Sequence, residues 1–430
     1  MKPQFLISAL STGSGKTLFA MGLLRALKNR GLRIQPYKCG TDFFDSQILS
    51  LAAGNEAVHL DTWISSHTHI QHLYNRYGEK ADVCITEGTS GLFDGYHKLH
   101  GSAAEMAKLL NVPVILVVNA RVSGYSLTAS IYGFKHFHPQ VKIVGVVFSQ
   151  VSSAAHYGFL REACADAGVD CLGYLPICDG VKIPSKHTAM TLTAKKELDQ
   201  QINVVAGLVE KHLDINRLLN RCSRNFPCQY TLPYSSETEF DDVIVPFKKL
   251  RIAVARDAAF NFTYRENIAR LEKLGKIIPF SPVYGSDLPE ADLIYIPGGY
   301  PEMFARQLHR RRKLMDDLKT FAENGGKILA EGGGLVSLGR SLTVRQGGTA
   351  YAMSDILPID FAMNDAKLQS KYRKYMHQGV EMKGTEFRYF HLMKSDIPVD
   401  LDAQLIRYKN VIACSGHLYW GEKDILSLWD

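Results

Sequence analysis

The chain has 430 residues, which is enough for two or three domains that each bury a core of their own. Its hydrophobic fraction of 46% and charged fraction of 22% are typical of a folded globular protein, and they exclude a disordered or low-complexity chain. The net charge of +7 favours anionic small molecules as readily as nucleic acid, so we do not predict nucleic-acid binding from it.

Cysteine usage and hydropathy narrow the class of protein further. The eight cysteines are scattered without a CxxC pair, which argues against a zinc knuckle or a redox pair. The chain begins directly with an apolar run, without a basic leader, and it contains no stretch of 18 apolar residues. We therefore predict a cytoplasmic protein that does not span a membrane.

The first half of the chain alternates short apolar runs with helix-length stretches. An apolar run at residues 4–9 precedes a glycine-rich turn, and residues 18–29 then have helical periodicity. Further β-type runs lie at residues 33–37, 83–86, 112–118 and 141–148. This alternation predicts an α/β domain over residues 1–212, with a parallel sheet covered by helices on both faces.

The second half of the chain predicts another α/β domain after a connecting segment. Residues 213–248 lose periodicity and contain a stretch rich in serine, glutamate and aspartate, so we predict a linker there. A new alternation occupies residues 249–430, with β-type runs at 251–255, 277–280, 293–296 and 327–330. Helices are predicted near residues 264–274 and 301–324.

The turn after the first run ends in Gly-Lys-Thr, as in a Walker-type phosphate loop. It reads Leu-Ser-Thr-Gly-Ser-Gly-Lys-Thr from Leu10 to Thr17, with leucine at the position of the usual first glycine. Glycines let backbone N–H groups approach phosphate oxygens, the lysine reaches the β and γ phosphates, and the threonine hydroxyl can ligate magnesium. The residues predicted to bind ATP are Thr12, Gly13, Ser14, Gly15, Lys16 and Thr17, together with Asp42 further along the chain.

Acidic residues follow the second and third predicted strands. Asp42 and Asp45 come after one strand, and Glu87 and Asp94 come after the next. The carboxyl ends of parallel strands form the ligand-binding edge of an open α/β sheet, and magnesium prefers hard oxygen ligands beside phosphates. We predict Thr17, Asp42 and Glu87 as metal ligands. The predicted catalytic residues are Lys16, Asp45, Glu87 and Asp94. The alternative is that the acids cap helices or stabilise loops.

With these motifs in place, the chain resembles the cobyrinic acid a,c-diamide synthase family over nearly its whole length. The matching segments are residues 12–17, 40–45, 60–63, 87–95, 145–147, 173–176, 257–262 and 298–302. The resemblance implies an N-terminal half similar to dethiobiotin synthetase and a C-terminal half similar to class I glutamine amidotransferases. It also implies a ligase that uses ATP, magnesium and glutamine-derived ammonia to amidate tetrapyrrole acetates through an acyl phosphate.

One segment departs from the family pattern. Where the family has Glu-Cys-Gly-Gly-Leu, with the cysteine as glutaminase nucleophile, this chain has glycine at Gly332. His417 matches the family's catalytic histidine, so Gly332 and His417 are predicted to form a degenerate glutaminase site. Cys414 is near His417 in sequence and is interpreted as a buried structural thiol rather than a substitute nucleophile. The nitrogen donor is then free ammonia or ammonia from a separate glutaminase.

Two other functions stay open at this point. A divergent, non-amidating paralogue would bind a tetrapyrrole or a protein partner and use ATP as a switch. A partitioning-type ATPase would explain the variant loop but leaves the second α/β domain unexplained. A homodimer is also left open.

Overall fold

A computed structural model describes residues 1–184, 190–229, 249–285, 287–344, 348–363, 369–402 and 404–430. The chain divides into two compact units, Met1–Lys186 with Lys195–Ser236 and His187–Ala194 with Glu237–Asp430. Both units are α/β structures, which confirms the predicted fold class. Within these described ranges, no helix is long and apolar enough to cross a membrane.

The first unit is built on a parallel sheet with strand order β3-β2-β4-β1-β5-β6-β7. The strands are β1 (Lys2–Ala9), β2 (Ile34–Cys39), β3 (Val58–Leu60), β4 (Val83–Glu87), β5 (Val114–Asn119), β6 (Ile143–Val151) and β7 (Asp170–Pro176). Consecutive residues Phe5, Leu6 and Ile7 of β1 are all fully buried. Because successive side chains of a strand point to opposite faces, both faces of this sheet are covered.

The helices of the first unit connect these strands. They are α1 (Lys16–Asn29), α2 (Phe43–Ala53), α3 (His67–Gly78), α4 (Ala103–Leu110), α5 (Leu127–Phe137), α6 (Ala154–Asp166), α7 (Leu192–His212) and α8 (Ile215–Arg221). The chain first adds strands on one side of β1 and later on the other side. Since parallel crossovers are right-handed, this reversal places helices on opposite faces and makes the carboxyl end of β1 a topological switch point.

The predicted linker at residues 213–248 begins as part of the first unit. Helix α8 starts at Ile215, and a short strand β8 (Ser223–Arg224) pairs antiparallel with the start of β1. Leu218 and Cys222 are fully buried, which explains the ordering of a segment without clear periodicity: it is stabilised by packing and strand pairing. Residues 230–248 lie outside the described residues.

The second unit has a central sheet with strand order β10-β9-β11-β12-β20-β19, parallel except for β19. Its strands are β9 (Leu250–Ala255), β10 (Gly275–Phe280), β11 (Leu293–Ile296), β12 (Lys327–Glu331), β19 (Ile406–Tyr408) and β20 (Val411–Cys414). Ala253, Ile294 and Ile328 belong to one buried cluster, whereas Ile252 and Tyr295 belong to another. Alternate residues therefore pack on opposite faces, each with its own core.

Two small sheets and the remaining helices complete the second unit. The sheets are β14-β13-β15-β18 and β16-β17-β21. Their strands are β13 (Ser341–Thr343), β14 (Ala350–Ala352), β15 (Ile359–Met363), β16 (Gln369–His377), β17 (Val380–Arg388), β18 (Phe390–Ser395) and β21 (His417–Tyr419). The helices are α9 (Arg265–Leu274), α10 (Ala305–Arg310), α11 (Arg312–Glu323), α12 (Gly333–Leu338) and the 3-10 turns Pro301–Phe304 and Ile425–Trp429. The single helix predicted at 301–324 is thus three short pieces.

Candidate functional site

The phosphate loop joins β1 to α1 at the centre of the first sheet. Gly13 and Gly15 adopt φ values of 78° and 88°, in the left-handed region that glycine enters at little cost. The Ser14 hydroxyl donates to the Ser11 carbonyl at 2.9 Å, and the Ser149 hydroxyl at the end of β6 donates to the Ser14 carbonyl at 2.7 Å. The loop is therefore held in shape from within and from a neighbouring strand.

Lys16 lies over this loop and is largely buried. Its Nζ is 3.4 Å from the Ser11 carbonyl oxygen, so the side chain folds back toward the start of the loop. Burial lowers the pKa of Lys16, while the Glu87 carboxylate opposes that shift. An ammonium in this position is suited to donate hydrogen bonds to phosphate oxygens.

Thr17 and Glu87 meet directly, as the predicted metal site requires. The Thr17 hydroxyl donates to Glu87 Oε1 at 2.6 Å, which joins the start of α1 to the end of β4. Glu87 is 1% exposed, and burial raises its pKa although the Lys38 ammonium opposes the shift. A hydroxyl and a carboxylate oxygen are ligand types that Mg²⁺ prefers, so the donors of this pair fit that ion.

Lys38 at the end of β2 is the functional candidate that the sequence prediction did not single out. Its Nζ lies 2.7 Å from Asp45 Oδ2 and 3.2 Å from Glu87 Oε2, and the side chain is almost fully buried. Burial alone lowers the pKa of this lysine, but Glu87 and Asp45 outweigh burial and hold it above its usual range. The signal in the sequence was a lysine directly after the β-type run at residues 33–37, which the structure extends to a buried strand, Ile34–Cys39.

The two other predicted acids lie at the same edge with different partners. Asp42 caps α2, since its Oδ1 accepts hydrogen bonds from the backbone N–H groups of Phe44 and Asp45, both at 3.0 Å. Asp94 is exposed, and its Oδ2 accepts from the Gly91 N–H at 2.9 Å. The contacts of Asp42 Oδ1 are therefore those of a helix cap, as the alternative interpretation predicted. The role of Asp42 as a metal ligand stays a prediction.

The described residues contain no group of three or more His, Cys, Asp or Glu side chains arranged to hold a metal ion. Three of the predicted acids, Asp45, Glu87 and Asp94, all act electrostatically on the Lys16 ammonium. Asp45 and Glu87 are separated by the Lys38 ammonium, which contacts both. The roles of Thr17, Asp42 and Glu87 as magnesium ligands stay predictions.

In the second unit, Gly332 occupies a sharp turn between β12 and α12. Its φ of 50° and ψ of −114° are unfavourable for residues with a side chain. A Cβ at this position would lie 2.8 Å from His417 Nε2 and 3.5 Å from the Gly298 Cα. The turn expected for a nucleophile is thus retained, and the histidine ring occupies the space next to it.

The neighbours of Gly332 do not supply a replacement nucleophile among the described residues. The Cys414 thiol is fully buried and donates to the Gly416 carbonyl at 3.3 Å, and burial raises its pKa well above the usual range. The His417 Nδ1 is 3.0 Å from the Thr385 carbonyl oxygen, and burial lowers the pKa of the imidazole to about 4. At neutral pH this corner holds a neutral thiol and a neutral imidazole, without a thiolate.

Glu331 is also buried beside this turn. Its Oε2 accepts from the Tyr295 hydroxyl at 2.9 Å and its Oε1 from the Leu418 N–H at 3.2 Å. Burial nevertheless raises its pKa to about 8, with both hydrogen bonds opposing the shift. Glu331 therefore ties β12 to β21 rather than facing a substrate.

The sheet order, the phosphate loop and the turn at Gly332 define a nucleotide-binding P-loop protein with an appended glutamine amidotransferase-like domain. Residues 5–190 match the CobQ/CobB/MinD/ParA nucleotide binding domain, and residues 251–424 match the CobB/CobQ-like glutamine amidotransferase domain. Among solved structures, chloroplast FtsY from Physcomitrella patens is similar with a TM-score of 0.33 and 16% identity, over 47% of this chain and 65% of that chain.

Full-length relatives give the finer assignment. The cobyrinate a,c-diamide synthase of Listeria innocua is 33% identical over 90% of this chain and 86% of its own. The corresponding proteins of Archaeoglobus fulgidus and Salmonella typhimurium are 34% and 35% identical, over 89% and 82% of this chain and 81% and 77% of theirs. The chain belongs to the cobyrinate a,c-diamide synthase family. The predicted enzyme class, an ATP-dependent amide-forming ligase, is confirmed.

Proposed function

We propose that this chain converts acetate carboxylates of a cobyrinic acid-like tetrapyrrole to amides, using ATP and magnesium, through an acyl phosphate. We further propose that the nitrogen comes from free ammonia or from ammonia supplied by another protein. The observation that carries the proposal is the connected set of Thr17, Glu87, Lys38 and Asp45 beside the phosphate loop. Family membership supports the tetrapyrrole as substrate.

The loop and Lys16 are proposed to hold the triphosphate. Gly13 lies open, because a Cβ there would have no heavy atom within 4 Å, so a phosphate can approach the backbone closely. Backbone N–H groups at the start of α1 then face the phosphate oxygens. Lys16 would move from the Ser11 carbonyl onto the β and γ phosphates.

Thr17 and Glu87 are the residues proposed to hold magnesium. When bound, the ion would neutralise charge on the phosphates and thereby lower the barrier to phosphoryl transfer. Glu87 is buried and already oriented by the Thr17 hydroxyl and the Lys38 ammonium, so its carboxylate is fixed before any ligand arrives.

Lys38 is proposed to reduce the electrostatic repulsion between this acidic edge and the carboxylate of the acceptor. Asp45 and Glu87 would both repel an incoming carboxylate, and the protonated Lys38 between them reduces that repulsion. The acceptor carboxylate oxygen attacks the γ phosphorus, ADP leaves, and an acyl phosphate forms. In-line geometry depends on the loop holding the phosphates still.

Amide formation then needs only ammonia and the activated acyl group. The ammonia nitrogen attacks the acyl carbon, the C–O bond to phosphate breaks, and the proton lost from nitrogen ends on the phosphate. Asp94 is proposed to attract ammonium to this position, where ammonium releases a proton to solvent before its nitrogen attacks, since Asp94 is exposed at the edge and its side chain is held by the Gly91 N–H.

The nitrogen source follows from the second unit. Glutamine hydrolysis in this class requires a side-chain nucleophile that forms a thioester, and Gly332 has none. The Cys414 thiol, buried and protonated, is not a substitute. We therefore propose that the second unit does not release ammonia from glutamine.

The test is an amidation assay with two nitrogen donors. Cobyrinic acid, ATP and magnesium are incubated with ammonium or with glutamine, and products are identified by mass spectrometry. We expect amide with ammonium and no amide with glutamine. A Lys16→Ala variant should form no amide with either donor. Amide from glutamine alone would overturn the proposed nitrogen source. ATP binding without amide from either donor would favour the nucleotide-switch function instead.

A further inference from the structure

Residues 95–101, with the sequence Gly-Tyr-His-Lys-Leu-His-Gly, form a tight turn that we name the edge hairpin. The Gly95 N–H donates to the Lys98 carbonyl at 2.8 Å, and the His100 N–H donates to the His97 carbonyl at 3.0 Å. Lys98 itself adopts a φ of 52° at the tip. The turn is closed on itself, so its side chains point outward from a defined backbone.

Glu105 fixes the edge hairpin to the rest of the first unit. Its Oε2 accepts from the Gly101 N–H at 2.6 Å and from the Thr62 hydroxyl at 2.8 Å, which joins the hairpin to the segment after β3. Ser102 caps α4 by accepting from the Glu105 N–H at 3.1 Å. The base of the hairpin is thus held by a network of partly buried hydrogen bonds.

The edge hairpin lies beside the proposed active site. It follows Asp94, and the segment before it packs on the start of the phosphate loop, where the Leu92 N–H donates to the Ala9 carbonyl at 2.8 Å. A Cβ at Gly91 would lie 2.8 Å from the Leu10 carbonyl oxygen. Glu105 joins Gly101 to Thr62, which follows β3, and β3 pairs with β2, so the base of the hairpin lies toward the β3–β2 side of the sheet edge.

Charge distinguishes the edge hairpin from the rest of this edge. The lysines of the proposed active site are already engaged, because Lys38 is paired with Asp45 and Glu87 and Lys16 is proposed to hold phosphate, so the other carboxylates of a substrate need cations elsewhere. The hairpin carries Lys98 and two histidines, all exposed, and no acidic residue. Glu105, the acid at the base of the hairpin, already accepts hydrogen bonds at Oε2, and its Oε1 lies 3.4 Å from His100 Nδ1.

We propose that the edge hairpin binds the peripheral carboxylates of the tetrapyrrole that do not react. Lys98 supplies an ammonium and His97 supplies an imidazole, while His100, whose Nδ1 lies 3.4 Å from Glu105 Oε1, offers its Nε2. This inference rests on the proposed function, because it takes the anionic macrocycle as the substrate. The hairpin sets affinity and orientation for that substrate and takes no part in phosphoryl transfer.

The experiment compares a triple variant, His97→Ala with Lys98→Gln and His100→Ala, with the unchanged protein. The KM for cobyrinic acid should rise roughly tenfold at low salt, and the increase should shrink as salt is added. The KM for ATP and kcat at saturating substrate should stay within about threefold, because the phosphate loop is untouched. Lys80→Gln, which removes an exposed lysine before β4 at the opposite edge of the sheet, is the matched control and should change nothing.

A second substrate separates carboxylate recognition from a general effect on the fold. For cobyrinic acid in which the non-reacting carboxylates are methyl esters, the triple variant should have the same KM as the unchanged protein. An equal KM rise for both substrates, or no rise for either, overturns the proposal. If the triple variant melts early, Lys98→Gln alone is used, since that side chain is exposed.

Failure of the proposed function gives a different result. If the unchanged protein makes no amide, the amidation proposal fails, and the edge hairpin is tested by absorbance titration of cobyrinic acid without turnover. Weaker binding to the triple variant then supports the hairpin, and equal binding by both proteins overturns it.

Discussion

Replacing Lys38 with methionine is the change whose consequences follow most directly from the structure. Methionine has similar length and fills the same buried space, so the substitution removes the charge without leaving a large cavity. Asp45 loses a contact of 2.7 Å and Glu87 one of 3.2 Å. Two carboxylates at the carboxyl edge then lack their shared cation.

The size of the effect can be worked from these distances. A pair of unit charges 3.2 Å apart attracts by about 5 kcal/mol at an effective dielectric constant of about 20. The burial of the charges offsets part of that attraction, but removing one member of a buried pair leaves the other uncompensated. We therefore expect Lys38→Met to lower the free energy of unfolding by about 3–5 kcal/mol at pH 7.5.

The loss of stability in Lys38→Met should increase with pH. Burial raises the folded-state pKa of Glu87, and Lys38 opposes that shift, so the pKa rises further in the variant. A carboxyl group with a raised folded-state pKa destabilises the protein as pH rises above its unfolded value of about 4.3. The difference between the two proteins should therefore be smaller at pH 5 than at pH 7.5.

Urea unfolding at both pH values measures this difference, and steady-state amidation measures the catalytic loss, which we expect to exceed about 100-fold. Adding Glu87→Gln to the variant removes the uncompensated charge and should recover part of the stability without recovering activity. A stability loss below about 1 kcal/mol at pH 7.5, with amidation intact, would refute the reasoning.

Three further predictions concern other parts of the two units. Thr17→Val should lower kcat for amidation about 100-fold and Thr17→Ser less than tenfold, because only valine removes the hydroxyl that contacts Glu87. Steady-state kinetics at saturating ATP measure both changes. Gly332→Cys and its control Gly332→Ala should each lower the free energy of unfolding by about 1–3 kcal/mol, since both place a Cβ at positive φ against His417. Neither should hydrolyse glutamine, because a Cβ at this position crowds His417, and hydrolysis by the cysteine variant would contradict that steric argument. Burial raises the pKa of Glu331 to about 8, so the folded state holds a proton that the unfolded chain loses at lower pH. Stability should fall by up to about 1.4 kcal/mol per pH unit between roughly pH 4.5 and 8, and urea unfolding of Glu331→Gln should lack this slope.

Much of the fold could be predicted from hydrophobic patterning. Apolar runs separated by helix-length segments indicated both parallel sheets, because strands buried on two faces are apolar at nearly every position. The three-residue strand β3 was not predicted, and the segment at Ile215–Arg221 was predicted as linker. Both are stabilised by long-range pairing and packing, which a local pattern does not contain.

The site residues that directly follow strands along the chain could be predicted from the sequence. The loop ending at Thr17 and the acid at Glu87 follow strands directly, and the structure brings them into contact. Lys38 was missed because it follows the predicted run at residues 33–37, and the local sequence does not show that two acidic partners surround its ammonium. The capping contacts of Asp42 depend on where α2 begins, and helix ends are the least certain part of any sequence prediction.

At Gly332 the sequence indicated a missing nucleophile, but the position of the histidine ring required coordinates. His417 reaches the turn because β21 pairs with β17, and Thr385 fixes the ring through its carbonyl. Those two strands come from distant parts of the chain. Their pairing is set by the whole second unit and not by the local sequence around either residue.

ATP is proposed to activate the substrate carboxylate as an acyl phosphate, and this claim can be tested with an oxygen label. Cobyrinic acid with ¹⁸O in its carboxylates is incubated with this protein, ATP, magnesium and ammonium, and the released inorganic phosphate is analysed by mass spectrometry. The claim predicts that one carboxylate ¹⁸O is transferred to phosphate for each amide formed, because the carboxylate oxygen attacks the γ phosphorus. Amide formation accompanied by unlabelled phosphate would contradict it.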